Sequence, residues 1–157
     1  MLKVGNKVPN ISGATNGGRK VSLSGLKGKF VVVYFYPKDN TTGCTREAQD
    51  FRDAAAKFAK RNAVVIGVSR DSVKSHDGFV AKHDLPFELV ADVDEAWCSA
   101  FDVIKEKVLY GRRYMGVVRS TFLIGPDGKL RREWRNVKVP GHAEAVLDAI
   151  AAESARQ

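Results

Sequence analysis

Cysteine appears only twice in this 157-residue chain, as Cys44 and Cys98. Two thiols are too few for a disulfide scaffold, so a packed core has to hold the fold, and the reducing cytoplasm is the expected compartment. Histidine is nearly as sparse. His76, His83 and His142 are scattered, and the cysteines lie far apart in sequence, which leaves no metal-ligand spacing and sets the expectation of no metal and no cofactor. The longest strongly apolar run, FVVVYFY at Phe30–Tyr36, is far too short to cross a bilayer. The opening MLKVGNKVPN reads neither as a secretory signal nor as a membrane span. With no repeat, low-complexity segment or long polar linker, the chain reads as one domain over residues 1–157.

Positive charge is abundant. Lys and Arg number 26 against 18 Asp and Glu, for a formal charge of +8. Ten of the bases, against three acids, fall between Lys105 and Lys138, interleaved with Tyr110, Tyr114 and Trp134. Such a composition suits nucleic acid. No helix-turn-helix, zinc spacing or RNA-binding aromatic motif accompanies it, so the favoured reading is a solvated basic loop and an edge hairpin, with neither nucleic acid nor membrane as partner.

Periodicity orders the rest. NGG at 16–18 predicts a hairpin turn beside the alternating KVSL of 20–23, because it tolerates positive φ. FVVVYFY, apolar on both faces, predicts a strand covered on both sides. Cys44, Ala48, Phe51, Ala55 and Phe58 recur at helical spacing and predict one helix from Cys44 to about Arg61. A strand over 64–69, a helix capped by Asp71 or Ser72 and reaching His83, a strand over 87–91 and a short helix opened by Asp92 or Asp94 follow. A long basic loop is expected next, then a strand from Arg119 to Gly125, the PDGK turn, a strand in KLRREWR, and a last helix from His142 with an apolar stripe at Ala145, Leu147, Ile150 and Ala151. This alternation predicts an α/β fold: a thioredoxin-like central mixed sheet flanked by helices, with an N-terminal β-hairpin extension.

Within that frame Cys44 stands out. It follows the carboxyl end of a buried strand, where open α/β sheets tend to gather reactive groups. It sits in the first turn of its helix, where unpaired backbone N–H groups and the dipole favour thiolate. Thr41, three residues earlier, has a hydroxyl suited to capping the helix or to bonding a sulfur or substrate oxygen. Pro37 fixes the bend out of the strand. The alternative, a small buried apolar residue on the Phe51 and Phe58 stripe, stays open, but a helix mouth framed by Thr and Gly is a poor core centre and a reactive thiol is favoured.

The string PKDNTTGC holds P-x-x-x-T-x-x-C, with Pro37, Thr41 and Cys44 in register, and resembles the peroxiredoxin active-site loop. YFYPKDNTTGCTREA, SRDSVKSH, FDVIKEK and RSTFLIGPDGK together resemble the bacterioferritin comigratory protein (PrxQ) branch, from about Gly5 to Ala149. The resemblance implies a thioredoxin fold and a thiol-dependent peroxidase acting on hydrogen peroxide and organic hydroperoxides. It makes Cys44 the peroxidatic cysteine, oxidised to a sulfenic acid. Thr41, with the backbone at Gly43 and Cys44, would hold the peroxide oxygens, and Arg119 would favour the thiolate and orient the substrate. Arg46 is expected on a solvated helix face. Thr42 stands where the branch usually has a proline.

The branch often carries a resolving cysteine five residues after the first or in the following helix. Those places are Gln49 and Val80. Cys98 is then the remaining thiol, either a resolver reached by local unfolding or a buried structural residue; the second is favoured. The expected mechanism uses one cysteine, with an external thiol (thioredoxin, or glutaredoxin with glutathione) as reductant, in a monomer. Glu47 stands where a C-x-x-C oxidoreductase would have its second cysteine. A non-enzymatic redox sensor or basic binding module is the rival from another class.

Overall fold

The computed structural model describes residues 2–155. Strand β3 (Phe30–Phe35) is buried along its whole length, as an uninterrupted FVVVYF demands. Its neighbours are β4 (Ala63–Ser69), parallel, and β8 (Ser120–Ile124), antiparallel. β5 (Glu88–Ala91) extends the parallel part beyond β4, and β9 (Leu130–Arg135) pairs antiparallel with β8. The NGG turn joins β1 (Ser12–Thr15) to β2 (Arg19–Ser22), with Gly17 and Gly18 at positive φ. This hairpin extends the same sheet through a pairing of Thr15 with Val90, giving the order β2-β1-β5-β4-β3-β8-β9.

Alternation along β3 divides the core in two. Phe30, Val32, Tyr34 and Tyr36 face one side, packing with α1 (Thr42–Asp53), α2 (Ala55–Lys60), α3 (Val73–His83) and α5 (His142–Ser154). Val31, Val33 and Phe35 face the other, with α4 (Ala96–Ala100), Phe101, Val103 and Leu130. Each fully buried Val or Phe here contributes about 1.5–3 kcal/mol of transfer free energy. Ser72 caps α3 by accepting from the Ser75 N–H at 3.1 Å. Asp92 receives the N–H groups of Trp97 and Cys98 at 3.0 and 2.8 Å and so organises α4.

Three expectations need correction. The helix expected over 44–61 begins at Thr42 and breaks at Ala54, whose φ and ψ of −95° and 0° leave the helical region and separate α1 from α2. The basic loop is a hairpin, β6 (Ile104–Leu109) and β7 (Arg112–Val117), forming its own two-stranded sheet. On α5 the buried stripe runs through Ala143, Val146, Leu147, Ala149 and Ile150, while Ala145 is exposed. No helix among the described residues is long and apolar enough to cross a membrane.

Candidate active site

β3 ends at Phe35, and β8 begins opposite it, because Phe35 pairs with Ser120 in the antiparallel register. The residue before Ser120 is Arg119. The loop leaving β3 turns at Pro37 and enters α1, which returns Cys44 toward the same corner. One guanidinium therefore meets one thiol across a sequence separation of 75 residues, with Arg119 Nη2 donating to Cys44 Sγ at 3.4 Å.

The other arm of the fork has a partner that sequence reasoning missed. Glu47 lies one helical turn beyond Cys44, on the same face of α1. Its Oε1 accepts from Arg119 Nη1 at 2.7 Å. Both are shielded, and Cys44 as a residue is 1% exposed. Burial pushes the Glu47 carboxyl up to about 7, against the opposing pull of Arg119. Burial also works against the Arg119 cation, but Glu47 and Cys44 more than offset it and raise the guanidinium further. Glu47 Oε2 and the Tyr34 hydroxyl beneath it are buried without hydrogen-bond partners. Burial, reinforced by the Glu47 and Asp39 carboxylates, raises the Tyr34 phenol well above its usual range and keeps it neutral. The signal for Glu47 in the sequence is its spacing of three from Cys44, the position at which a C-x-x-C motif has its second cysteine.

Gly43 lies in close approach to the guanidinium. A Cβ there would stand 3.2 Å from Arg119 Nη2, so Arg119 would have to shift by a few tenths of an ångström. Thr41 occupies the N-cap position with extended backbone, and its carbonyl accepts from the Thr45 N–H at 2.9 Å. Its hydroxyl does not cap the helix; it donates to the Lys38 carbonyl at 2.9 Å, which commits its hydrogen and leaves acceptor lone pairs. Arg46 is exposed and pairs with Asp50 at 3.5 Å, on the solvated face expected for it.

The loop between β3 and α1 is anchored through buried Asp39. Tyr36 Oη and Ser75 Oγ donate to its carboxylate at 2.6 and 2.8 Å, and His76 Nδ1 lies 2.7 Å from it. The Asp39 N–H in turn donates to Asp71 Oδ2 at 2.9 Å. Burial alone would raise the Asp39 carboxyl, but the bonds from His76, Tyr36 and Ser75 hold it below its ordinary value. Asp39, Asp71 and His76 place oxygen and nitrogen atoms within 4.8 Å of one another, all already engaged in hydrogen bonds.

Cys98 is not part of this corner. Cys44 belongs to the core on the α1 side of the sheet and Cys98 to the core on the α4 side. Burial pushes the Cys98 thiol far up, and the adjacent Asp92 carboxylate adds to that. Gln49, on α1, lies 3.4 Å from His83 Nδ1, and Val80, on α3, packs against the first core; neither position offers sulfur.

The AhpC/TSA family pattern matches residues 4–133. Peroxiredoxin Bcp of Xanthomonas campestris is 53% identical over 139 residues, 88% of this chain and 87% of that protein. Peroxiredoxin Bcp of Bacillus subtilis is 48% identical over 149 residues, 95% of each chain. Among solved structures, the bacterioferritin comigratory protein of Xanthomonas campestris, described for its alkyl peroxide reduction activity, superposes with a TM-score of 0.90 at 48% identity, covering 98% of both chains.

Proposed function

Because the chain belongs to the AhpC/TSA family and is a thiol-dependent peroxidase, we propose that Cys44 is its peroxidatic nucleophile and that Arg119, Thr41 and Gly43 build the peroxide site around it. The carrying observation is the guanidinium fork, one arm at 3.4 Å from Cys44 Sγ and the other held by Glu47 at 2.7 Å. The Cys44 thiolate attacks one peroxide oxygen. An S–O bond forms as the O–O bond breaks, leaving a sulfenic acid and a hydroxide or alkoxide that takes up a proton. Arg119 stabilises the anionic sulfur and then the charge passing onto oxygen. Thr41 accepts from the peroxide O–H, and N–H groups at Gly43 and Cys44, in the unpaired first turn of α1, face the leaving oxygen. Pro37 shapes the bend that delivers this loop. With Cys44 buried at the helix mouth, only the O–OH end of a substrate reaches sulfur. That geometry admits hydrogen peroxide and organic hydroperoxides, in keeping with the alkyl peroxide activity named for the Xanthomonas protein.

The sulfenic acid is reduced by an external thiol, thioredoxin or glutaredoxin with glutathione, because the other cysteine lies across the sheet. The protein works as a monomeric single domain in the reducing cytoplasm, in keeping with two free thiols. Cys44→Ser is expected to abolish peroxide turnover while leaving the far-UV circular dichroism unchanged. Peroxide treatment followed by non-reducing peptide mass spectrometry checks the mechanism: a sulfenic adduct at Cys44 is expected, whereas a dominant Cys44–Cys98 disulfide overturns the one-cysteine reading.

A further inference from the structure

The β6–β7 hairpin does little for the fold at its far end. Ile104 and Val117 anchor its base in the core, and the Arg70 guanidinium reaches the Met115 carbonyl at 3.4 Å. Beyond that base both faces are open. Of the seven most exposed large apolar or aromatic side chains among the described residues, five are here: Val108, Leu109, Tyr110, Tyr114 and Met115. Apolar exposure so concentrated on one ribbon marks an interaction surface. Tyr110 sharpens the point. It is 96% exposed and held at a φ of +50°, followed by Gly111 at +76°, in a turn where Asn or Gly is the usual occupant. A bulky aromatic in that conformation carries strain and buries nothing in return.

Composition indicates the kind of partner. Tyr, Met and Arg are enriched at the centres of protein interfaces, and Tyr110, Tyr114, Met115, Arg112 and Arg113 supply all three types within six residues. The charge is one-sided: Lys105 pairs with Asp102 and Arg113 with Glu106, and Lys107 and Arg112 leave the ribbon net positive, so the complementary surface is acidic with an apolar centre. Position relates the hairpin to the thiol. Lys107 and Tyr114 are cross-strand partners, with Leu109 and Arg112 beyond them on the same face. Lys107 and Tyr114 fold over Gly116, where a Cβ would meet their side chains at 3.0 and 2.9 Å, and Lys107 Nζ donates to the Val117 carbonyl at 2.6 Å. Burial, and then the Arg119 cation, pull the Lys107 ammonium down while Cys44 pulls it up, as a neighbour of the catalytic pair must feel.

We infer that the outer half of the β6–β7 hairpin, centred on Tyr110, Tyr114 and Arg112, is the docking surface for the reductant, and that the reductant is an acidic protein dithiol whose reactive sulfur lies within an apolar patch. This takes as given that sulfenic Cys44 is reduced from outside. Once docked, the partner's thiol attacks the Cys44 sulfur. An S–S bond forms, the S–O bond breaks and water leaves. The partner's second thiol then displaces Cys44 as a free thiol and closes the partner's own disulfide.

Tyr110→Asn removes the ring while suiting the turn, and Arg112→Glu reverses the rim charge; neither touches the peroxide site. Steady-state turnover with thioredoxin, recycled by its reductase and NADPH, is compared with turnover on dithiothreitol and on reduced glutathione. Each variant is expected to raise the KM for thioredoxin about tenfold, the loss seen when a central interface tyrosine is truncated. Turnover on dithiothreitol and the single-turnover rate of Cys44 oxidation are expected to stay unchanged. Native KM values for thioredoxin in both variants overturn the proposal. So does an equal loss with dithiothreitol, or a wild-type protein that glutathione sustains and thioredoxin does not. A dimer in sedimentation velocity that Tyr110→Asn converts to monomer assigns the surface to a second copy and likewise overturns it. Failure of wild-type Cys44 to form a sulfenic acid is a separate result, read in the single-turnover arm, and removes the underlying mechanism.

Discussion

Arg119 has to serve two groups at once, a sulfur at 3.4 Å and a carboxylate at 2.7 Å, and only a planar fork with fixed donors does so. A lysine keeps the charge but offers a single tetrahedral head, so it satisfies one partner and abandons the other. Arg119→Lys is therefore expected to slow Cys44 oxidation by about 10–100-fold, the scale of one lost charge-assisted hydrogen bond of about 1.5–3 kcal/mol. Stopped-flow oxidation by hydrogen peroxide measures this, and a native rate in the lysine variant would mean that charge alone, not geometry, is what the site needs. The thiol and its helix mouth were legible from local sequence, because strand end, loop and first turn are contiguous there. Arg119 was singled out from ten nearby bases only by resemblance to a family, since what brings it to Cys44 is the pairing of Phe35 with Ser120. Glu47 needed the same information, because a carboxylate one turn from a cysteine means little until a cation is placed between them.

At the scale of elements, the loop from Pro37 to Thr41 gains its order from Asp39 more than from its own hydrogen bonds. Four polar contacts, from Tyr36, Ser75, His76 and toward Asp71, tie this single residue to β3, α3 and the end of β4. Removing the carboxylate leaves the Tyr36 hydroxyl, the Ser75 hydroxyl and the His76 ring without their shared partner, and each buried polar group so stranded costs about 1–3 kcal/mol. Asp39→Ala is expected to lose stability on that scale in urea denaturation at neutral pH, and to slow Cys44 oxidation as the loop loosens. A loss below about 1 kcal/mol would show that the network is already solvated. Strands and helices covered by the core were readable because burial imposes period two or period 3.6 on their side chains. The β6–β7 hairpin escaped because neither of its outer faces is buried, so its alternation carries no apolar signal. Its Tyr-Gly turn was the remaining cue. The break at Ala54 has neither Gly nor Pro to mark it.

At the scale of the whole molecule, the sheet decides which groups share an environment. It places Cys98 in the core on the opposite face of the seven-stranded sheet from Cys44, a separation that no spacing in the sequence reveals. On the Cys44 side it also gathers two buried titratable groups whose effects on stability oppose each other. Glu47 rises from an ordinary 4.5 to about 7, so the stability it contributes is full below about 4.5 and is lost as pH rises through about 7. His142, beside Thr121 at 2.7 Å, falls from 6.5 to about 4 because burial, and then the Arg119 cation, disfavour its charged form. Its contribution is full above about 6.5 and is lost as pH falls through about 4. Urea unfolding at pH 5 and pH 8 separates the two. Relative to wild type, Glu47→Gln is expected to gain about 1–3 kcal/mol on going from pH 5 to pH 8, because the wild-type protein alone must ionise a buried acid. His142→Gln is expected to move the opposite way by about 1–2 kcal/mol, gaining on wild type toward pH 5. Both groups feel Arg119, so the double variant should depart from the sum of the two singles. Identical pH slopes for the two single variants would mean that neither group titrates in the buried state the structure gives it.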